Sequence, residues 1–266
     1  KLYSQIDKVR SPNSIISSNT STIPLSILTQ EMSDTMKADF CITHFFNPVR
    51  FMRLLEIVET PTMNKDKMSG LRDFCQNELG KGIVNCYDTP GFIGNRIGVY
   101  AMQVAMYEAL ERGLPVEIAD ALFGRPLGIP KTGVFGLYDL IGIDLMKDVL
   151  ASFKKELQEN DPFMDVVAPH PLVEKLLEKG YNGNKGPGGF YQTTIIDDDE
   201  IVKAMNTSDM SYYDFDKVDL EIARRVEKEG IKALLDDDSE YGRYAFAVLA
   251  KIINYSAFCI PEVSSN

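Results

Sequence analysis

Residues 40–60 have the sequence Phe-Cys-Ile-Thr-His-Phe-Phe-Asn-Pro-Val-Arg-Phe-Met-Arg-Leu-Leu-Glu-Ile-Val-Glu-Thr. His44 ends one apolar run, Asn47-Pro48 marks a turn, and Glu56 lies inside a second apolar run. Strand side chains alternate between faces, so Glu56 shares a face with Val58. A buried acid is costly unless it is paired. The pattern therefore predicts two strands that fold back so that His44 meets Glu56, leaving one ring nitrogen for proton transfer.

The spacing alone leaves a second interpretation open, in which His44 only ends a strand and Glu56 lies at a sheet edge. The order of the residues in this segment favours the first interpretation. Thr-His-Phe-Phe-Asn-Pro-Val, followed by Met-x-Leu-Leu-Glu-Ile-Val, resembles the catalytic segment of the L-3-hydroxyacyl-CoA dehydrogenase family. In that family a His–Glu pair works beside a nicotinamide cofactor, and its separation is the 12 residues found here.

The amino-acid composition indicates which classes of protein and ligand are compatible with the chain. The 266 residues suffice for one large or two modest domains, and 44% hydrophobic with 25% charged residues is typical of a soluble globular protein. The net charge of −11 argues against binding to nucleic acid and gives no help in binding an acidic acyl-CoA. Four scattered cysteines predict reduced thiols and a cytosol-like compartment. We find neither a secretory signal nor an uninterrupted run of about 18 apolar residues that would span a membrane.

A short strand within residues 14–18 leads into Asn19-Thr20-Ser21, small polar residues of the kind that bind ligands beyond the carboxyl ends of strands. The same run could instead cap a helix that opens at Pro24. Ser18-Asn19-Thr20-Ser21 resembles the family's segment near the nicotinamide. The resemblance implies that Ser21 is a catalytic residue bonded to the substrate oxygen. It also implies cofactor contacts for Asn19, Ser21 and Asn47.

The hydrophobic period changes from 2 to 3.6 after Gly91, which predicts one long helix up to Gly113 and a helical domain beyond it. Pro-Gly-Phe-Ile-Gly-Asn-Arg at residues 90–96 resembles the family motif Pro-Gly-Phe-x-x-Asn-Arg. The resemblance implies that Asn95 projects into the cleft beside the His–Glu pair. We interpret Arg96 as structural, pairing across the domain junction.

The predicted fold is α/β plus all-α: the C-terminal part of a Rossmann-like NAD-binding domain (residues 1–88), followed by a helical-bundle dehydrogenase domain (89–192). The predicted domain organisation continues with an acidic linker that contains a helix (193–240) and ends with the start of a second helical domain (241–266). No dinucleotide fingerprint occurs in the chain, and its first residues resemble the middle of a helix, so we expect a fragment. The acidic runs predict no metal site, and His170 is expected in a loop.

The ordered set of three motifs predicts an NAD-dependent enzyme that oxidises L-3-hydroxyacyl-CoA to 3-oxoacyl-CoA in fatty-acid β-oxidation. His44 would be the general base, Glu56 its partner, and Ser21 and Asn95 would hold the substrate. The alternative is an acyl-CoA-binding or structural relative without catalysis, although such a protein has no need of the His–Glu pair. The resemblance further implies a homodimer through the helical domain and a cytoplasmic or organelle-matrix location.

Overall fold

The structure is a computed structural model that describes residues 2–124, 132–196, 199–216 and 218–264. The chain forms two compact units, one made of Lys1–Gly98 with Ser256–Asn266 and the other of Val99–Tyr255. Residues 124–130, Gly-Arg-Pro-Leu-Gly-Ile-Pro, have the composition of a turn-rich loop, and all of them except Gly124 lie outside the described residues. Asp197 and Asp198 of the predicted acidic linker also lie outside them.

The first unit is built on a four-stranded mixed sheet of order β1-β2-β3-β4. Strand β1 runs parallel to β2, β2 antiparallel to β3, and β3 parallel to β4. The antiparallel β2–β3 pair is the fold-back that the sequence predicts around Asn47-Pro48. The elements of this unit, in chain order, are α1 (Leu2–Asp7), β1 (Ile16–Ser18), α2 (Leu25–Thr29), α3 (Asp34–Lys37), β2 (Phe40–Phe45), β3 (Leu54–Glu59), α4 (Lys65–Asp73) and β4 (Gly82–Asn85).

Both faces of this sheet are buried, which explains the nearly continuous apolar strands. Phe40, Ile42 and Val58 belong to a cluster on one face, together with Cys86 and Phe92. Alternate residues of the same strands join a cluster on the other face that contains Cys41, Leu55, Ile57, Met63, Met68 and Cys75. Since side chains alternate along a strand, His44 and Glu56 lie on the face that also carries Phe92.

The first N–H groups of helix α2 donate to a residue that is distant in the sequence. Pro24 stands at its N-cap without any side-chain hydrogen bond. The carboxylate of Asp88, beyond β4, accepts from the backbone N–H groups of Leu25 at 2.6 Å and Ser26 at 2.9 Å. Asp88 therefore joins the segment that follows β1, and with it the loop that carries Ser21, to the segment that follows β4.

The second unit combines helices with a small antiparallel sheet of order β5-β6-β7. Helices α5 and α12 belong to it over most of their length. Its elements are α5 (Gly94–Glu111), α6 (Val116–Leu122), α7 (Phe135–Ile141), α8 (Ile143–Glu156), α9 (Pro171–Glu178), β5 (Tyr191–Ile196), β6 (Asp199–Met205), β7 (Tyr212–Asp214), α10 (Glu221–Glu229), α11 (Lys232–Leu235) and α12 (Glu240–Val263).

The three-stranded sheet differs from the prediction, which has an acidic linker with a helix at residues 193–240. That helix is present as α10 and α11, divided at Gly230, whose φ of 81° ends the first of them. The first of the two helices, α10, begins at Glu221. His170, expected in a loop, is the N-cap of α9, where its Nδ1 accepts from the backbone N–H of Leu172 at 3.1 Å.

Two buried carboxylates hold the second unit together. Asp139 accepts from the backbone N–H groups of Phe190 at 3.0 Å and Tyr191 at 2.7 Å. Asp120 accepts from the N–H groups of Phe135 and Gly136 and from the hydroxyl of Tyr191 at 2.9 Å. Burial raises the pKa of both Asp120 and Asp139 to about 7, although these hydrogen bonds act in the opposite direction.

We expect the stability of this unit to fall as pH rises from about 4 to about 7. In that range the unfolded chain has already released the protons of Asp120 and Asp139, whose ordinary pKa is 3.8, whereas the folded chain still binds them. Raising the pH therefore favours unfolding, by up to about 1.4 kcal/mol per pH unit for each group. Urea unfolding at several pH values measures the effect. Asp139→Asn cannot titrate and should flatten the slope; an equal slope in both proteins would contradict the prediction.

Helix α12 packs along α5 within the second unit. The hydroxyl of Tyr244 donates to the carbonyl of Ala105 at 3.2 Å, and Lys251 Nζ lies 2.6 Å from Glu108 Oε1. Among the described residues, α12 is also the one helix long and apolar enough to cross a membrane by length and composition, a test that core helices of soluble proteins pass as well. Polar residues interrupt the apolar sequence of α12, yet the helix as a whole is apolar enough to pass, so the predicted absence of a membrane span is not confirmed.

Candidate active site

His44 and Glu56 face each other across the β2–β3 pair. Their Cα atoms are register partners, and His44 Nδ1 lies 2.6 Å from Glu56 Oε2. Glu56 has no exposed surface, and His44 is only 6% exposed. The alternation of side chains along the two strands thus brings together the two residues that the sequence singled out. With Nδ1–H bonded to the carboxylate, Nε2 is the ring nitrogen left to exchange a proton.

The second carboxylate oxygen of Glu56 is held by backbone groups. Oε1 accepts from the N–H groups of Ile93 at 2.9 Å and Gly94 at 2.6 Å. These two groups point the same way because the chain turns sharply just before α5, with positive φ at Gly91 (70°) and Phe92 (50°). A positive φ at a bulky residue such as Phe92 is rare and costs on the order of 1–3 kcal/mol. Both of these backbone groups are donors, and a carboxylate oxygen has the lone pairs to accept from two of them.

Aromatic rings and a thiol complete the surroundings of the pair. The ring centroid of Phe46 lies 4.6 Å from that of His44, and the ring centroid of Phe92 lies 6.0 Å away. Cys86 Sγ lies 3.8 Å from Glu56 Oε1. Burial, and then the neighbouring Glu56 carboxylate, raise the pKa of the Cys86 thiol to about 12, which keeps it protonated and able to donate. All four cysteines are buried.

Three further predicted site residues lie in the segments that follow β1 and β2. Asn19 Oδ1 accepts from the backbone N–H of Phe45, next to His44, at 2.9 Å. Ser21 is half-buried in the segment after β1, and Asn47 is exposed in the turn after β2. Among the residues that the structure describes, no hydrogen bond joins Ser21 or Asn47 to the His–Glu pair. Their predicted roles stay predictions.

Asn95 and Arg96 lie in the first turn of α5, directly after Gly94. Asn95 is half-buried. Arg96 is 1% exposed, and its guanidinium donates to both carboxylate oxygens of Glu262 at 3.2 and 3.0 Å. Glu262 lies near the end of α12 and belongs to the same compact unit as Arg96.

Sequence reasoning missed three contributors to this site: the backbone N–H groups of Ile93 and Gly94, the thiol of Cys86, and Glu262. The Pro-Gly pair before Phe92 was the available signal for a tight turn, although not for its direction toward Glu56. Within the described ranges, no group of three or more His, Cys, Asp or Glu side chains is arranged to hold a metal ion.

The arrangement can act as a general base. The ring of His44 is oriented through Nδ1, its positive charge after protonation is balanced by Glu56, and its aromatic neighbours exclude water. Strands β1 and β2 are parallel, so their carboxyl ends lie at the same edge of the sheet. Asn19 and Ser21 follow the end of β1, and His44 lies near the end of β2. Open α/β sheets bind ligands at this edge.

The chain is similar to known proteins over its whole length. Residues 1–89 match the family model described as 3-hydroxyacyl-CoA dehydrogenase, NAD binding domain, and residues 91–193 match its C-terminal domain. A putative fatty acid oxidation complex trifunctional enzyme of Rickettsia felis is 37% identical over 266 residues, which cover 100% of this chain and 36% of that protein. This chain thus spans about a third of the length of the curated relatives that it matches first.

Two solved structures are similar to the chain. The 3-hydroxybutyryl-CoA dehydrogenase of Escherichia coli has a TM-score of 0.60 and 29% identity, with 72% of this chain and 39% of that chain covered. FadB2 of M. tuberculosis has the same TM-score and 28% identity, with 73% and 65% covered. These matches confirm the predicted fold class and the NAD cofactor of the first domain. The chain belongs to the 3-hydroxyacyl-CoA dehydrogenase family.

Proposed function

We propose that the protein containing this chain oxidises L-3-hydroxyacyl-CoA to 3-oxoacyl-CoA with NAD⁺, as a step of fatty-acid β-oxidation. The observation that carries the proposal is the buried His44–Glu56 pair with its 2.6 Å contact. A relative that only binds acyl-CoA has no need of an oriented imidazole. Oxidation of a secondary alcohol does need one, because the hydroxyl proton must leave as the hydride leaves the carbon.

His44 removes that proton through Nε2, since Nδ1 is bonded to Glu56. General-base catalysis of this kind contributes about 10²–10⁴ to the rate. Glu56 keeps the ring in the productive tautomer and stabilises the imidazolium that forms. Because two backbone N–H groups hold the other carboxylate oxygen of Glu56, the pair is oriented before substrate binds.

Ser21 and Asn95 hold the substrate oxygen, and Asn19, Ser21 and Asn47 contact the cofactor. Bound NAD⁺ supplies the hydride acceptor. The fit of this group rests on the sheet: β1 and β2 are parallel, and the small polar residues after β1 follow its carboxyl end, where a nicotinamide would meet His44. Asn19 also accepts from the N–H of Phe45, which fixes the loop after β1 beside the end of β2.

The partner in this reaction is an acyl-CoA. The net charge of −11 provides no general attraction for its phosphates, which therefore need a local basic group. A homodimer through the helical domain and a location in the bacterial cytosol or an organelle matrix remain part of the proposal. The organelle location accords with a relative, the mitochondrial hydroxyacyl-coenzyme A dehydrogenase of Rattus norvegicus, which is 34% identical over 194 residues.

The test measures NADH formation from 3-hydroxybutyryl-CoA and from a longer 3-hydroxyacyl-CoA. Two proteins are compared: this chain and a form extended upstream with a dinucleotide-binding segment. We expect activity in the extended form, lost on His44→Ala. An extended form that binds acyl-CoA but produces no NADH would refute the dehydrogenase and favour the binding protein.

A further inference from the structure

We propose that residues 256–264, the last turns of α12 and the residue after it, hold the first turn of α5 in position, and that Glu262 is thereby a positioning residue for the His44–Glu56 pair. The role in catalysis rests on the proposed function, whereas the effect on the geometry of the pair does not. The observations concern one compact unit, since residues 256–264 belong with Lys1–Gly98.

The strongest contact is the ion pair between Glu262 and Arg96. Both oxygens of Glu262 accept from the guanidinium, at 3.0 and 3.2 Å. Arg96 is 1% exposed, whereas the side chain of Glu262 is 41% exposed. A two-point contact with a planar guanidinium fixes direction as well as distance. Because Arg96 is buried, loss of the Glu262 carboxylate removes an interaction of a charge in the interior, which costs more stability than loss of a surface ion pair.

Two further contacts attach the same segment to the end of β4. The backbone N–H of Tyr87 donates to the carbonyl of Val263 at 2.8 Å, and the hydroxyl of Ser264 donates to the carbonyl of Asn85 at 3.0 Å. Cys259 and Val263 are buried, at 0% and 2% exposure. The segment is therefore packed against this unit and bonded on both sides of the turn that leads into α5.

This turn is also what holds Glu56. Gly94, whose N–H lies 2.6 Å from Glu56 Oε1, is two residues before Arg96, and the Arg96 N–H donates to the carbonyl of Gly91 at 3.2 Å. A shift of the first turn of α5 therefore moves the N–H groups that fix the carboxylate. Since the other oxygen of that carboxylate orients His44, the ring moves with it.

The test compares the parent chain with Glu262→Gln, which keeps the size of the side chain and removes its charge. The control, Glu240→Gln, removes the same charge from an exposed residue in the first turn of α12. The spectroscopic readout is the ¹H resonance of His44 Nδ1–H, which is easily assigned because His170 is the only other histidine and His170→Gln removes its signals. The kinetic readout is NADH formation in the form found active. Circular dichroism confirms that each variant is folded.

We expect Glu262→Gln to shift or broaden the His44 Nδ1–H resonance and to lower kcat by about tenfold, because misplacement by about 1 Å costs up to about 10²-fold. KM should stay within about twofold, since the contact lies behind the pair. Glu240→Gln should match the parent. A variant that is merely less stable, with unchanged resonance and kcat, would overturn the proposal. If no form of the protein is a dehydrogenase, the resonance alone decides: a shift supports the positioning of Glu56, and an unchanged signal refutes it.

Discussion

Replacement of His44 by glutamine is expected to lower kcat for 3-hydroxyacyl-CoA oxidation by about 10²–10⁴, the usual contribution of a general base. Glutamine fits the space and can still bond to Glu56, but its amide does not accept a proton at neutral pH. KM should change little, because the lost interaction is made in the transition state. Initial rates of NADH formation at saturating substrate measure the effect.

His170→Gln is the matched control, since it changes the only other histidine in the same way. His170 caps α9 in the second unit, so its replacement should reduce stability slightly and leave kcat unchanged. A His44→Gln protein that retains more than about a tenth of the parent activity would show that another group removes the proton, because a general base is worth at least about 10².

Asp139→Ala is expected to destabilise the helical unit by about 3 kcal/mol. The change leaves the N–H groups of Phe190 and Tyr191 without their acceptor in a buried setting, and each such loss costs about 1–3 kcal/mol. Urea unfolding, followed by circular dichroism at about pH 6, measures the change.

Two variants test the cause of that loss. Asp139→Asn keeps the volume and one oxygen acceptor, so it should lose less stability than Asp139→Ala. Asp148→Ala removes an exposed aspartate from α8 and should stay within about 0.5 kcal/mol of the parent. Equal losses for Asp139→Ala and Asp148→Ala would show that the two backbone groups find other partners.

The pairing of His44 with Glu56 was predictable because it depends on side-chain alternation and on the cost of burying an acid. Both rules apply to any strand pair, and the Asn47-Pro48 turn indicated where the pair folds back. The α/β-to-helical change at Gly91 was predictable for a similar reason, since the hydrophobic period itself changes there.

The backbone donors to Glu56 were not predictable, because every residue except proline has an N–H and the sequence does not say which one points inward. Their direction depends on the positive φ of Phe92, which is unfavourable for that residue and is imposed by the surrounding structure. The three-stranded sheet of the second unit differs from the prediction for another reason. Thr193-Thr194-Ile195-Ile196 is a β-branched run typical of a strand, but the acidic residues after it dominated the interpretation.

The bonds from Asp88 to Leu25 and Ser26 have a consequence for the order in which the chain folds. Helix α2 has five residues, and its N-cap residue Pro24 provides no side-chain acceptor. The acceptor for the N–H groups of its first turn is Asp88, more than 60 positions later in the chain. Closing so long a loop must precede the gain in hydrogen bonds. During synthesis, therefore, the contact of Asn19 with Phe45 becomes available as soon as β2 is made, whereas the bonds from the first turn of α2 to Asp88 become available only after β4.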